Sequence, residues 1–172
     1  MAGKGFLASL FVAMMSLAAL VPGHASAKDA DTWKMDRRSY DLGVIAAFAE
    51  MVDDNSKKLA FSAVLPPAEA SAIFWEATRI AKESHVALYR EPDLIVTDLF
   101  PADVAKGKDV LLIYKGGTLD EYLALKRKKA ELVKSGAYTG KAREEIARQL
   151  GRLLSYSEAT IDTVMKKNTI RE

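Results

Sequence analysis

The chain has 172 residues, no cysteine, and a formal net charge of +2 from 25 Lys+Arg against 23 Asp+Glu. Its 49% apolar and 28% charged residues are ordinary globular usage, which argues against a disordered, collagenous or porin-like chain. The missing thiols exclude disulfides, cysteine-ligated zinc, iron–sulfur clusters and a cysteine nucleophile.

Residues 1 to 27 read as an export leader and not as part of the fold. Lys4 supplies positive charge, Phe6 to Val21 run for 16 residues without a charge, Pro22-Gly23 break the run, and Ala25-Ser26-Ala27 offer a small-x-small cut after Ala27. A spanning helix needs ~20 apolar residues, so the run is short for an anchor. No cysteine follows it for lipid attachment, and no later window approaches spanning length. The expectation is a soluble exported protein, periplasmic in a Gram-negative source and secreted otherwise, with one globular domain from Lys28 to Glu172. That length accommodates a core without disulfides.

After a polar lead-in, Tyr40, Val44, Ile45, Phe48, Met51 and Val52 recur with helical spacing. Lys58 to Val64 predicts a strand, and Pro66-Pro67 opens a second helix carrying Ile73, Phe74, Ala77, Ile80 and Ala81 on one face. Val86 to Tyr89 predicts a short strand, Glu91-Pro92-Asp93 a turn, and Leu94 to Phe100 another strand. Asp109 to Tyr114 is the most apolar run and therefore the central strand, with Leu112 in its middle. From Thr118 the period stays helical. Thr118 with Glu121 has capping-box spacing for a helix through Lys134, closed by Gly136. A helix from about Thr139 carries Ala142, Ile146, Leu150, Leu153 and Leu154. Ser155 with Glu158 repeats the capping-box spacing before Ile161, Val164 and Met165. The expected fold is α/β, with α+β as the alternative: a small mixed sheet of about four strands covered by helices, one parallel crossover in its βαβ step, and a C-terminal run of three helices.

Charge divides unevenly. Residues 28 to 105 hold 9 Lys+Arg against 14 Asp+Glu, and residues 106 to 172 hold 15 against 9. Either the halves attract each other within the fold, or the helical tail shows a basic face to an anionic partner.

Residues able to do chemistry are sparse. With His24 inside the leader, His85 stands alone at a helix–strand junction, and neither G-x-S-x-G nor H-E-x-x-H occurs. No metal or cofactor is indicated. Glu91, Asp93, Asp98 and Asp103 form an acidic cluster in sequence, of use to a hydrolase or cation site only if they converge. Lys115-Gly116-Gly117-Thr118 follows the most apolar strand and opens a helix, a place where backbone N–H groups can hold an anion. It matches neither the P-loop nor the dinucleotide pattern. Arg143, Arg148 and Arg152 on the penultimate helix are further anion-binding candidates, or else they pair with neighbours such as Glu144 and Glu145. The basic run Lys126-Arg127-Lys128-Lys129 has the same two readings. Trp75 falls opposite the apolar stripe of its helix, with Arg79 and Lys82, as an anchor for a partner or a residue covered by the segment bearing Trp33.

Two functions are compatible with this inventory. One is an exported accessory or binding protein acting on an envelope protein or a small anion. The other is a small periplasmic hydrolase or transferase using carboxylates and arginines at the strand ends. Nucleic acid is excluded as a partner by the near-neutral balance and the lack of aromatic-basic interleaving.

Overall fold

A computed structural model describes residues 35 to 171; the leader read from residues 1 to 27, Trp33 and the polar lead-in lie outside them. In chain order the elements are α1 (Arg37–Asp53), β1 (Leu59–Phe61), α2 (Pro67–Glu83), β2 (Ala87–Glu91), β3 (Val110–Tyr114), α3 (Thr118–Lys134), α4 (Gly140–Leu153) and α5 (Glu158–Lys167). Among the described residues, no helix is long and apolar enough to cross a membrane.

The sheet has the order β1-β3-β2, with both outer strands antiparallel to β3. It is therefore a three-stranded antiparallel sheet, where a mixed sheet of about four strands was expected. β1 and β2, joined through α2, do run in the same direction, but β3 lies between them, so their parallel relation carries no hydrogen bonds. Between Phe61↔Leu112 and Leu65↔Asp109 the pairing slips by one residue, a bulge that shortens the expected Lys58–Val64 strand. Ser62 Oγ sits in the bulge and accepts from Leu111 N at 2.9 Å.

β3 is central because its side chains are buried on both faces of the sheet. Leu111 and Ile113 face α1 and α2, meeting Ile45, Ala49, Val52, Ile73 and Ala77. Val110 and Leu112 face the other way, among Leu94, Leu99, Tyr122, Ile146 and Leu150. Phe61 and Tyr122 meet edge to face there, with ring centroids 6.3 Å apart. Two helical layers thus enclose one short sheet.

The helices take their ends from local chemistry. Asp36 caps α1, accepting from Arg38 N and Ser39 N. The buried row of α1 is Leu42, Ile45, Ala49 and Val52, one row aside from the expected stripe; Tyr40 and Met51 are exposed. α2 ends with His85 in the left-handed region (φ 55), donating from His85 N to Lys82 O while Val86 N bonds Ala81 O. Neither expected capping box forms. Gly117 occupies the N-cap of α3, and Thr118, already helical, donates its hydroxyl back to Lys115 O. Ser157 caps α5, whereas Ser155 has φ 62 beyond the end of α4 and accepts from Lys58 N. A Cβ on Gly151 would stand 2.6 Å from Ile161, so glycine is what lets α5 lie against α4.

Leu94 to Phe100 is not a strand. Leu94, Ile95 and Leu99 are buried, which is what the sequence pattern registers, but side chains replace a ladder. Tyr122 Oη accepts from Ile95 N at 3.2 Å, Thr97 Oγ1 accepts from Leu99 N at 3.2 Å, and Asn168 Nδ2 donates to Asp98 O and Phe100 O at 3.1 and 2.8 Å.

Leu112→Ala removes a fully buried side chain from the middle of β3. It should cost ~2–5 kcal/mol in urea unfolding; a loss below ~1 kcal/mol would put the core elsewhere.

Candidate functional site

The acidic residues do not form one site. Glu91, at the end of β2, is almost fully buried; its carboxylate takes both oxygens to Lys126 Nζ on α3 at 3.1 Å and accepts from Asp93 N at 2.9 Å. Lys126 also bonds Asp93 O, while the Asp93 side chain is 91% exposed. Asp98 is held by a different cation: Arg143 on α4 forks onto it through Nε at 2.9 Å and Nη2 at 2.5 Å. Arg171 Nη1 stands 3.9 Å from the same carboxylate, and Asp103 is exposed. Among the described residues, no three His, Asp or Glu side chains are grouped to hold a metal ion.

The arginines of α4 are likewise engaged. Arg148 reaches Glu144, Glu158 and Asp162 at 2.9, 3.0 and 2.6 Å; Arg152 reaches Glu158 at 2.7 Å and Glu145 at 3.2 Å. These bonds hold the Glu145 and Glu158 carboxyls below the usual carboxylate range, for Glu145 chiefly through Gln149 Nε2 and for Glu158 through Arg152.

At the end of β3, Lys115 Nζ donates to Asp53 Oδ1 at 2.6 Å and to Asp53 O at 3.1 Å. Gly116 takes φ 58, which its missing Cβ permits, and turns the chain into α3. His85 Nδ1 is 3.7 Å from Asp53 Oδ2, so this end of the sheet gathers the carboxylate of Asp53, the ammonium of Lys115 and the imidazole of His85. Lys115, and to a lesser degree His85, hold the Asp53 carboxyl below its ordinary value. His85 is 80% exposed and supplies the turn that ends α2. The Lys115–Thr118 turn pairs with α1, and the α4 arginines pair along α4 and onto α5 and Asp98, so the expected anion-binding residues are divided among separate ion pairs.

Two exposed features remain. Trp75 is 77% exposed on α2, in an outward row with Ala68, Ser71, Ala72, Arg79 and Lys82. Arg79 bonds Glu83 at 2.5 Å, and Glu76 beside Trp75 bonds Arg38 of α1 at 2.8 Å. The other feature is a groove of about 400 Å³ between α3 and α4, lined by Glu121, Ala124, Leu125 and Lys128 of α3, Gln149, Arg152 and Leu153 of α4, and Lys58. Of these, sequence reading singled out Arg152, and Lys128 within its basic run. The lining residues are spaced i, i+3, i+4, i+7 on α3 and i, i+3, i+4 on α4, a pattern that becomes a groove only once the two helices are known to lie side by side. Comparison of the chain with family models, with curated proteins and with solved structures gave no significant match.

Two predictions follow from the ion pairs. Arg143→Ala leaves the Asp98 carboxylate buried and should destabilise by about 3 kcal/mol; Asp98→Asn should cost less, since Arg143 can turn toward water. Urea midpoints of the two variants decide it. The carboxyls of Asp53, Glu145 and Glu158 lie below their unfolded values, so the stability they lend is present above those values and is lost as pH falls through the folded ones. The urea midpoint should hold steady down to about pH 5 and decline below about pH 4; a decline already complete at pH 5 would contradict the assignment.

Proposed function

We propose that this is an exported accessory protein that works by binding, with the Trp75 face of α2 as its contact surface. The observation that carries the reading is the exposure of Trp75 itself. A tryptophan in water forfeits a large apolar burial, and this side chain is the kind that anchors a protein interface when a partner covers it. Ala68, Ser71 and Ala72 leave the row before it low enough for another backbone to come close. Arg79 after it is paired with Glu83, and Lys82 adds a positive charge that suits an acidic group on the partner's rim. Export rests on the leader pattern of residues 1 to 27.

The enzyme reading is weaker on this geometry. Glu91 is neutralised by Lys126, Asp98 by Arg143, and Arg148 and Arg152 by acids of α4 and α5, which suits structural ion pairs better than groups that must exchange protons with a substrate.

Trp75→Ala should leave the urea midpoint within about 0.5 kcal/mol of the parent, as for an exposed residue. Binding to a partner captured by the full chain from the envelope fraction should weaken by roughly thirtyfold, the equivalent of about 2 kcal/mol for a tryptophan anchor. Unchanged affinity for every captured protein would remove the α2 face from the mechanism.

A further inference from the structure

We infer that the open edge of β2 seats a second copy of this chain, the two joined across a two-fold axis at Tyr89 into one six-stranded antiparallel sheet. The inference stands on unpaired backbone groups and is independent of the contact proposed for Trp75.

The pairing inside the sheet decides which groups are left over. Leu111 turns both of its backbone groups toward β1, its C=O accepting from Ser62 N and its N–H donating to Ser62 Oγ, each at 2.9 Å. Alternation along an antiparallel strand then turns Val110, Leu112 and Tyr114 toward β2, where they lie opposite Glu91, Tyr89 and Ala87. Leu88 and Arg90 therefore point their N–H and C=O groups away from β3. Among the described residues, nothing bonds these groups. The open stretch has definite ends, since Val86 N is taken by Ala81 O and Pro92 has no N–H. β1, the other edge, is three residues long and runs into the bulge, which blunts it.

When two β2 strands pair antiparallel about Tyr89, Leu88 lies opposite the second copy's Arg90 and Arg90 opposite its Leu88. Each pair exchanges two bonds, so every free group on both edges is satisfied.

The lack of charge around the axis is what selects a second copy over a foreign strand. At a two-fold axis each side chain meets itself, and a charge there would meet its like. With Val86 N on Ala81 O, three residues of strand, about 10 Å, bring Tyr89 level with Trp75, six helical residues back. The flank of α2 above the edge is the one that Arg90 reaches at Ser71 Oγ and Pro67 O, at 2.9 and 3.1 Å, opposite the flank where Glu76 meets α1. Helical phase adds Phe74 and Thr78 to it, both half-buried. Ser71, Phe74, Thr78, Leu88 and Tyr89 carry no charge, and that of Arg90 is matched by Asp109. A self-pairing surface requires this neutrality, whereas a foreign strand could answer a charge with its opposite. The two Trp75 rows then stand side by side on one face of the dimer.

Sedimentation equilibrium on the protein as the cell processes it should show the mass rising from monomer to dimer between about 1 and 100 μM and stopping there, since the two-fold uses up the edge. Leu88→Pro removes two of the four interchain bonds without touching the ladder to β3, and Thr78→Arg sets like charges beside the axis. Each should weaken the dimer at least about tenfold, with the urea midpoint verifying the fold. The absence of native cysteine allows a direct test of register. Directly opposed residues in a non-hydrogen-bonded antiparallel pair have Cα atoms about 4.5 Å apart, within disulfide reach, so Tyr89→Cys should cross-link two chains under oxidised glutathione. Ala87→Cys, exposed but about 14 Å from its copy, should not. The proposal fails if the chain stays monomeric at the highest concentration, if both variants dimerise as the parent does, or if Ala87→Cys cross-links as readily as Tyr89→Cys. It also fails if the Leu88 and Arg90 amides gain exchange protection only on adding envelope extract, which would assign the edge to another protein. A monomeric chain would leave the Trp75 contact standing, because Trp75→Ala tests that contact separately.

Discussion

A segment that is buried without belonging to a sheet must have its amide and carbonyl groups satisfied by side chains, and the layer beneath β3 is organised around this demand. Leu94 to Phe100 brings apolar residues into the core next to Leu112, and its peptide groups come with them. Tyr122 of α3, Thr97 within the segment and Asn168 after α5 each meet part of the need. Burial holds the Tyr122 phenol well above its ordinary value, so the group that Ile95 N meets is a neutral hydroxyl. The cost of an unmet buried amide is about 1–3 kcal/mol, so these bonds determine where α3 and the chain after α5 must lie.

The charge imbalance along the sequence has its counterpart here. Acids of the first half meet bases of the second: Glu91 with Lys126, Asp98 with Arg143, Asp53 with Lys115. Two of these acids lie at or beside the irregular segment, and each buried carboxylate there has a cation on it, Lys126 for Glu91 and the forked Arg143 for Asp98. The imbalance is thus largely used in docking the helical half onto the first half.

The course of the fold was legible where burial and period agree. VLLIY reads as central because both faces of β3 are covered, and Pro66-Pro67 marks the start of α2 because proline suits a first helical turn. The reading failed where a pattern had two physical causes. Leu94 to Phe100 is apolar because it is buried, and period alone does not distinguish a ladder from a loop capped by Tyr122 and Asn168. Thr118 and Ser155 carry capping-box spacing, yet the hydroxyl of one donates back to Lys115 O in the turn before the helix, and that of the other accepts from Lys58 N, far away in the chain. Helical phase placed Trp75 opposite the apolar stripe of α2 but left open whether another segment covers it; it is 77% exposed. The groove was illegible, because Lys58 lies far along the chain from α3 and α4 and only tertiary packing brings it to their mouth.

The two exposed features sit on different layers, separated by β3. The Trp75 row belongs to the layer packed on Leu111 and Ile113; the groove belongs to the layer packed on Val110 and Leu112. A close-packed strand between them transmits a shift only if core side chains change rotamer, which dense packing resists. The end of α1 reaches the other layer at two places: through Lys57-Lys58, fastened to Leu154 and Ser155, and through Asp53, which holds Lys115 just before α3.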